Sequence, residues 1–285
     1  MNNDIEYVPC YICGGTSTTP WATEDGFEMV KCNNCALAYV NPRPNINSID
    51  SATSSGMHSS EKTSLNTVGL FSRKKITEYR NKVSKLFPNE ELAREPIRWL
   101  DVGAGFGEFI EAITGLTGSE SLLKGIEPCE PKVRRAKARG IQMENIQISD
   151  INDRYTHISI INVLSHLPNP VTFLKELRDI MEPEGQLVLV TGNGGDILRK
   201  NFPGSLYLPD HLSFVGEQSI KDILDQAGFD LLQIDMYILE NNDVYIVGII
   251  KNIARKILGR AAVPLSIPKD NPFRLMWLRA QLRET

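Results

Sequence analysis

Between residues 96 and 240, apolar segments of strand length alternate with amphipathic segments of helix length. This alternation predicts a doubly wound α/β fold with a mostly parallel sheet. A glycine-rich turn follows the first apolar segment, at the position where open parallel sheets bind their ligands. Four cysteines within the first 35 residues predict a small metal-stabilised unit ahead of the sheet.

The composition is that of a globular protein and excludes several functional classes. The 285 residues include 31 Lys and Arg and 35 Asp and Glu, which gives a formal charge of −4, and 41% are hydrophobic. No run approaches the roughly 18 consecutive apolar residues of a membrane-spanning helix, and residues 1–6 lack the apolar core of a secretory signal. We therefore expect a cytoplasmic protein, and the acidic balance disfavours a broad nucleic-acid surface.

The cysteine spacing predicts a structural zinc ribbon over residues 1–44. Cys10 and Cys13 form one C-x2-C pair, and Cys32 and Cys35 form a second pair 18 residues later. This is the ligand spacing of a four-thiolate Zn²⁺ site, in which no coordination position remains open for a substrate. Disulfides are disfavoured in a chain without a secretory signal, and the presence of two matched pairs disfavours a redox motif.

Residues 45–95 are expected to form a polar lid followed by a linker helix. Ser, Thr and Asn dominate residues 45–66 and favour a loop, whereas apolar residues recur at helical spacing from Leu70 to Leu92. Residues 96–285 are expected to form the sheet domain. Its predicted strands are Ile97–Val102, Leu122–Ile126, His157–Val163, Gln186–Thr191 and Asp230–Leu239, with a final strand near 273–282. Its predicted helices are Glu108–Thr114, Pro131–Arg139, Pro170–Met181 and Gln218–Ala227, with a basic helix near 244–260.

The turn after the first predicted strand has the spacing G-x-G-x-G, formed by Gly103, Gly105 and Gly107. Its third glycine comes one residue earlier than in the dinucleotide-binding turn, and no Lys-Ser or Lys-Thr follows, as a P-loop requires. Carboxylates at Asp101 and Glu108 would repel a pyrophosphate. They suit a cofactor that carries an ammonium and a sulfonium group, which is S-adenosylmethionine.

The second predicted strand ends in an acid, Glu127, at the position where nucleotide-binding α/β folds hold ribose hydroxyls. Together with the glycine turn, this acid resembles the motifs of class I S-adenosylmethionine-dependent methyltransferases, and the resemblance covers residues 96–240. It implies a seven-stranded Rossmann-like sheet. The cofactor-binding residues that it implies are Asp101, Gly103, Gly105, Gly107, Glu127, Asp150, Ile151 and Asn162. Asp150 and Ile151 stand where the family binds the adenine, and Ser165 stands where the family usually has Glu.

The ribbon and the sheet together resemble the zinc-ribbon methyltransferases of bacterial sugar and surface-polysaccharide pathways. The run from Pro209 to Phe214 has a counterpart in them of the form x-x-His-Leu-x-Phe, and residues 271–280 are similar to their tail. The resemblance implies methyl transfer to a small polar acceptor, a nucleotide-linked sugar or a glycan.

Methyl transfer to a hydroxyl or a carbon acid needs a general base, and histidine titrates in the right range. His166 follows the predicted strand His157–Val163 at the ligand-binding edge, and His211 lies between the predicted strand Gln186–Thr191 and the next helix. Both are expected to face the cofactor cavity, with His211 as the first candidate for the base and His166 as the second. The alternative for His166 is a packing role in the strand-exit turn, and for His211 a contact that holds its loop.

Three other functions compete with this interpretation. An RNA methyltransferase would use the ribbon to bind nucleic acid, but Lys31 is the only Lys or Arg before Cys35. A non-catalytic scaffold would not require an intact glycine turn. A dehydrogenase would use Glu127 on the ribose of NAD, but the glycine spacing disagrees. The basic helix near 244–260 would allow peripheral contact with a membrane surface.

Overall fold

The computed structural model describes residues 5–59, 64–66, 69–88, 90–238 and 272–284. Within them the strands are, in chain order, β1 (Ile5–Glu6), β2 (Thr18–Glu24), β3 (Phe27–Cys32), β4 (Ala38–Val40), β5 (Arg43–Pro44), β6 (Met57–Ser59), β7 (Ser64–Asn66), β8 (Arg98–Val102), β9 (Leu122–Ile126), β10 (Met143–Glu144), β11 (Tyr155–Ile161), β12 (Met181–Gly192), β13 (Ser213–Phe214), β14 (Phe229–Ile238) and β15 (Arg274–Leu282). The α-helices are α1 (Ile46–Ser55), α2 (Arg73–Leu86), α3 (Glu108–Thr114), α4 (Glu130–Lys137), α5 (Pro170–Asp179) and α6 (Glu217–Ala227). The basic helix predicted near 244–260 lies outside the described residues.

Seven strands form the central sheet in the order β10-β9-β8-β11-β12-β15-β14. The first five are parallel to one another, and β15 is antiparallel to both of its neighbours. Strands β8 and β11 are buried along most of their length, as expected for parallel strands covered by helices on both faces. The predicted doubly wound, mostly parallel sheet is therefore confirmed. The two-residue strand β10 was not predicted.

Local sequence signals mark the start of α5 and the end of α6. Before α5, the side chain of Asn169 accepts a hydrogen bond from Thr172 N at 3.2 Å, and Pro170 occupies the first turn. Helix α6 ends at Gly228, which adopts the left-handed conformation that favours glycine. In the described ranges, no helix is long and apolar enough to cross a membrane.

The prediction of a loop for residues 45–66 was wrong in its first part, because α1 is a helix of 10 residues. Asn45 caps its first turn by accepting a hydrogen bond from Ser48 N at 2.9 Å, and Gly56 ends it in the left-handed conformation. Ile49 and Ala52 are buried on one face. Caps and two buried contacts therefore outweigh the poor helix propensity of Ser, Thr and Asn in this segment.

The cysteine-containing segment forms a second sheet, in the order β13-β4-β3-β2. Strand β13 comes from far along the chain and pairs antiparallel with β4, with Ser213 opposite Tyr39. The apolar residues under this sheet come from both parts of the chain, with Met29 and Val40 packing against Leu206 and Leu208. The ribbon sheet is thus completed by residues that follow β12, and we call these four strands the ribbon sheet below.

Candidate active site at the carboxyl edge of the sheet

The glycine turn joins β8 to α3 and forms one wall of a cavity. Gly103, Gly105 and Gly107 have φ values of +70°, +56° and +80°, which L side chains rarely adopt. A Cβ on Gly103 would lie 2.5 Å from Cγ2 of Val163. A side chain at Gly103 is therefore excluded by both conformation and space, and the bare backbone faces the cavity.

The cavity has a volume of about 510 Å³ and lies at the carboxyl ends of β8, β9 and β11. Gly103, Glu127 and Asn162 lie on its wall, and Ile49 of α1 closes the opposite side. This is the crevice at which open α/β sheets bind their ligands, and the volume falls within the range of small-molecule sites. Asn162 has a φ of +58°, a left-handed conformation that asparagine tolerates better than most residues.

Glu127 is 4% exposed and is held in place from three directions. Its Oε2 accepts a hydrogen bond from Gly105 N at 2.9 Å, and its Oε1 accepts one from Cys129 N at 3.1 Å. The ammonium of Lys132 lies 3.6 Å from Oε1. Each carboxylate oxygen can accept a further hydrogen bond, so this side chain is a preorganised acceptor for ligand hydroxyls.

Asp101 lies below the glycine turn and is 1% exposed. Its Oδ1 accepts a hydrogen bond of 2.6 Å from the Ser159 hydroxyl, which in turn accepts one of 3.0 Å from Trp99 Nε1. Burial raises the pKa of Asp101 from 3.8 to about 8, because the hydrogen bond from Ser159 only partly opposes it and the charges of Glu127 and Glu108 add to it. A cationic ligand would reduce the repulsion among these carboxylates, whereas a pyrophosphate would add to it.

Five of the predicted cofactor-binding residues do not line the cavity, namely Asp101, Gly105, Gly107, Asp150 and Ile151. Asp150 is exposed, and its Oδ2 accepts a hydrogen bond from Gln147 N at 3.0 Å, so its carboxylate caps a local turn. Ile151 packs against the hydrophobic core. Gly107 precedes α3, and a Cβ there would meet Ile141 at 3.0 Å. In the part of the wall expected to contact the adenine, the structure places Gln147 and Ile148 instead.

Two histidines and one acid meet at the rim of the cavity. The rings of His166 and His211 are 4.7 Å apart between centroids, and His166 lines the cavity. His166 Nδ1 lies 2.8 Å from the carbonyl oxygen of Asp210 and 3.4 Å from its carboxylate. His211 Nδ1 lies 2.8 Å from the carbonyl oxygen of Leu206. Because a carbonyl only accepts, each Nδ1 carries a proton, and each neutral ring keeps a free lone pair on Nε2.

The surroundings move the pKa values of the two histidines in opposite directions. Burial alone would lower the pKa of His166, but the hydrogen bonds and charge of Asp210 outweigh it and raise the pKa above 6.5. Burial lowers the pKa of His211 to about 4, and the neighbouring His166 adds to this effect. Paired titratable groups whose pKa values diverge are typical of acid–base sites.

The four ribbon cysteines converge on one point, separate from the cavity. The Sγ atoms of Cys10 and Cys35 are 3.4 Å apart, those of Cys13 and Cys32 are 3.5 Å apart, and all four lie within 4.8 Å of one another. Tetrahedral Zn²⁺ with bonds of about 2.3 Å places its sulfurs about 3.8 Å apart, so the cluster fits that ion. Cys129, the fifth cysteine, is buried, and its backbone N–H donates to Glu127.

The glycine turn, the acid after the second strand and the cavity at the strand ends define an α/β protein of the methyltransferase type. A family model described as a methyltransferase domain matches residues 71–234, which is more than half of the chain. The chain therefore belongs to this methyltransferase-domain family, and the predicted resemblance to methyltransferases is confirmed.

Among curated relatives, the ubiquinone biosynthesis O-methyltransferase of Coxiella burnetii is 27% identical over 143 residues, which are 47% of this chain and 55% of that protein. The chain thus spans about half the length of the curated relatives it matches. Among solved structures, the 4+2 cyclase SpnF has a TM-score of 0.51 at 17% identity. The alignment covers 73% of this chain and 81% of the SpnF chain. Magnesium protoporphyrin IX methyltransferase of Synechocystis PCC 6803, with bound SAH, has a TM-score of 0.47 at 15% identity, over 74% and 82% of the two chains.

Proposed function

We propose that this protein transfers a methyl group from S-adenosylmethionine to a small polar acceptor. The observation that carries the proposal is one cavity lined by the buried acid Glu127, the bare backbone of Gly103 and His166, whose ring lies 4.7 Å from that of His211. The acids favour a cationic cofactor, and the histidines supply the base that a hydroxyl or carbon acceptor needs. The family match supports the same activity.

The cofactor would lie along the wall formed by the glycine turn. Gly103 and Gly105 would offer backbone to its methionine part, with the charge of Asp101 beneath them, and Glu127 would accept hydrogen bonds from its ribose hydroxyls. Asn162 and Ile148 would complete the wall around the adenosine part. When bound, S-adenosylmethionine supplies an electrophilic methyl group next to a neutral leaving group.

We propose His166 rather than His211 as the general base, because His166, unlike His211, is among the residues that line the cavity. Its Nε2 would take the proton of the acceptor, while its Nδ1–H stays bonded to the carbonyl of Asp210. The Asp210 carboxylate, 3.4 Å from Nδ1, would stabilise the imidazolium that forms. His211, with its lowered pKa, remains neutral beside this charge and does not oppose it.

The acceptor that we propose is a nucleotide-linked sugar or a glycan of surface-polysaccharide biosynthesis. The cavity is also lined by residues of α1 and α5, where polar side chains accompany the apolar Ile46, Ile49 and Phe173. The polar side chains there are Asp50, Thr53, Asn169, Thr172 and Glu176. Carboxylate, hydroxyl and amide groups suit the hydroxyls of a sugar, and the resemblance of the whole chain to sugar-pathway enzymes supports this choice.

The ribbon cysteines would hold one structural Zn²⁺. The sulfur spacing supports this, and four thiolates leave the ion without an open position for chemistry. We propose the same organisation as the sequence predicts, with a zinc ribbon in residues 1–44, a lid and linker helix in 45–95 and the methyltransferase domain in 96–285. A cytoplasmic location, and peripheral membrane contact through residues 244–260, remain predictions from the sequence.

The proposal is tested by incubating the protein with methyl-tritiated S-adenosylmethionine and a panel of nucleotide sugars, with RNA as a comparison. We expect transfer to a nucleotide sugar, a fall in kcat on the order of 100- to 10,000-fold in His166→Gln, and little change in cofactor affinity. Cofactor binding without transfer to any sugar would refute the proposed acceptor, and transfer to RNA would replace it. A His166→Gln variant as active as the wild type would remove His166 from the mechanism.

A further inference from the structure

Glu24, at the end of β2 in the ribbon sheet, binds three consecutive residues of the segment that carries His211. We call this segment, residues 205–212, the histidine loop. The Oε1 atom of Glu24 accepts hydrogen bonds from Tyr207 N at 2.7 Å and from the Ser205 hydroxyl, and Oε2 accepts one from Leu206 N at 2.9 Å. The Arg199 guanidinium lies 3.6 Å away, and the Glu24 side chain is 16% exposed. A mostly buried carboxylate is thus satisfied almost entirely by this loop.

These bonds hold a strained turn. Tyr207 has a φ of +56°, a left-handed conformation that bulky L residues rarely adopt. Such strain persists only when the surrounding structure enforces it. On either side, Leu206 and Leu208 are buried against the ribbon residues Met29 and Val40. The histidine loop therefore takes its shape from the ribbon sheet.

Two of the residues that Glu24 binds, Leu206 and Tyr207, in turn bind His211. The carbonyl of Leu206 fixes Nδ1 of His211 at 2.8 Å, and the carbonyl of Tyr207 accepts a hydrogen bond from His211 N at 3.1 Å. In the same turn, the carbonyl of Asp210 fixes Nδ1 of His166 at 2.8 Å. The Glu24 carboxylate is thus linked to the His211 ring through two hydrogen bonds of Leu206, and to His166 less directly, through the turn that contains Asp210.

We propose that Glu24 is a positioning residue for the histidine pair, so that the ribbon sheet shapes the acid–base half of the active site. The catalytic role of the histidine pair rests on the proposed function, whereas the contacts through which Glu24 holds the histidine loop do not depend on it. The cofactor wall at Gly103 and Glu127 is built from β8 and β9, whereas the contacts of Glu24 given above fall on residues 199–207. Loss of Glu24 is therefore expected to spare cofactor affinity and to disturb the histidines.

The titration of His211 separates positioning from a through-space effect. The charged or titratable groups that act on the pair are Asp210, Lys132, Glu24 and the partner histidine. The negative charge of Glu24 raises the pKa of His211, so removing that charge alone would lower it. Loosening the loop would instead hydrate the ring and move the pKa up from about 4 toward 6.5. The two effects have opposite signs.

The test uses the full-length protein with S-adenosylhomocysteine as the bound probe. Histidine ring nitrogens are followed by NMR from pH 4 to 8 in wild type, Glu24→Ala and Glu24→Gln. Arg199→Gln removes the ion pair but leaves the loop hydrogen bonds in place. Glu28→Gln alters an exposed carboxylate on the neighbouring strand. These two variants are matched controls, and calorimetry gives the S-adenosylhomocysteine affinity of each variant.

We expect the pKa of His211 to rise in Glu24→Ala and less in Glu24→Gln, with both controls unchanged and every affinity within about twofold of wild type. With an acceptor available, kcat should fall on the order of 100-fold in Glu24→Ala while the KM for S-adenosylmethionine is kept. An unchanged or lowered pKa of His211, or a parallel loss of affinity, would overturn the proposal. If Glu24→Ala does not fold, the direction in which the pKa of His211 changes in Glu24→Gln decides whether the proposal stands. Failure of the wild type to bind S-adenosylhomocysteine would refute the proposed function but leave the NMR result to judge the role of Glu24.

Discussion

Cofactor affinity is predicted to depend on pH through Asp101. This carboxyl is buried beneath the glycine turn, and its pKa is raised to about 8. A cationic ligand nearby stabilises the ionised form, so binding lowers the pKa of Asp101 and releases a proton. Affinity for S-adenosylmethionine should therefore rise with pH from 6 to 8. The Ser159 hydroxyl, which donates to Oδ1 at 2.6 Å, favours the same ionised form.

The expected changes in affinity follow from the raised pKa of Asp101 and from its hydrogen bond with Ser159. A group with a pKa of about 8 is about 1% ionised at pH 6 and half ionised at pH 8, which allows up to about a 50-fold gain in affinity. A hydrogen bond to a charged group contributes roughly 1.5–3 kcal/mol. Ser159→Ala should thus raise the pKa of Asp101 further and weaken binding at pH 7 by about 10- to 100-fold.

Isothermal titration calorimetry in two buffers of different ionisation enthalpy measures both the affinity and the proton released. Asp101→Asn is the control, because a neutral isostere should lose the pH dependence and bind at pH 8 about as weakly as the wild type binds at pH 6. Any dependence that remains in Asp101→Asn belongs to other groups, including the amine of the ligand. A wild-type affinity that is flat from pH 6 to 8, or that matches Asp101→Asn throughout, would refute the reasoning.

Three further predictions concern the glycine turn, the metal and the buried histidine of β11. Gly103→Ala should weaken cofactor binding more than Gly105→Ala does. Both substitutions impose roughly 1–2 kcal/mol of left-handed strain, but only the Cβ at position 103 meets Val163, at 2.5 Å. Calorimetry compares the two affinities, and equal losses would contradict the steric argument. Cys32→Ser should reduce bound zinc from one ion per chain to near zero by atomic emission, and a metal-free wild type would remove the zinc assignment. His157 is stacked on Trp99, and burial lowers its pKa to about 4. The free energy of unfolding should therefore fall by at most about 1.4 kcal/mol per pH unit as the pH drops from 6.5 to 4. Urea unfolding of wild type and His157→Gln measures this loss, which the variant should reduce.

The parts of the fold and site that local sequence determines were predictable. The strand before the glycine turn, the turn itself and Glu127 lie within 30 residues of one another, and each carries its own signal. The cysteine pairs are equally local, and the structure brings their sulfurs together at the spacing that a four-thiolate site needs. In these segments, propensity, periodicity and motif agree with the tertiary structure.

Features that depend on tertiary contacts were not predictable in the same way. Helix α1 has few helix-favouring residues, and its formation relies on the Asn45 cap and on burial of Ile49. Asp150 has the position along the chain that an adenine contact would need, but its carboxylate is used by its own turn. Ser159 carried one weak signal, a polar residue between the apolar Ile158 and Ile160, and its role becomes visible only with Asp101 beside it.

The link between the ribbon sheet and the histidine loop joins segments that are far apart in the sequence. Glu24 and Tyr207 are separated by 183 residues, and nothing in either segment alone indicates that they meet. The pairing of β13 with β4 has the same character. The sequence indicated a ribbon and a histidine pair, but their connection required the three-dimensional structure.

The central claim is that the cavity at the carboxyl edge of the sheet binds S-adenosylmethionine. Calorimetric titration of S-adenosylmethionine, S-adenosylhomocysteine and NADH into the purified protein tests it most directly. We expect micromolar binding of the first two, loss of that binding in Glu127→Ala, and no binding of NADH. Absence of binding by either adenosyl ligand, or binding that Glu127→Ala leaves intact, would contradict it.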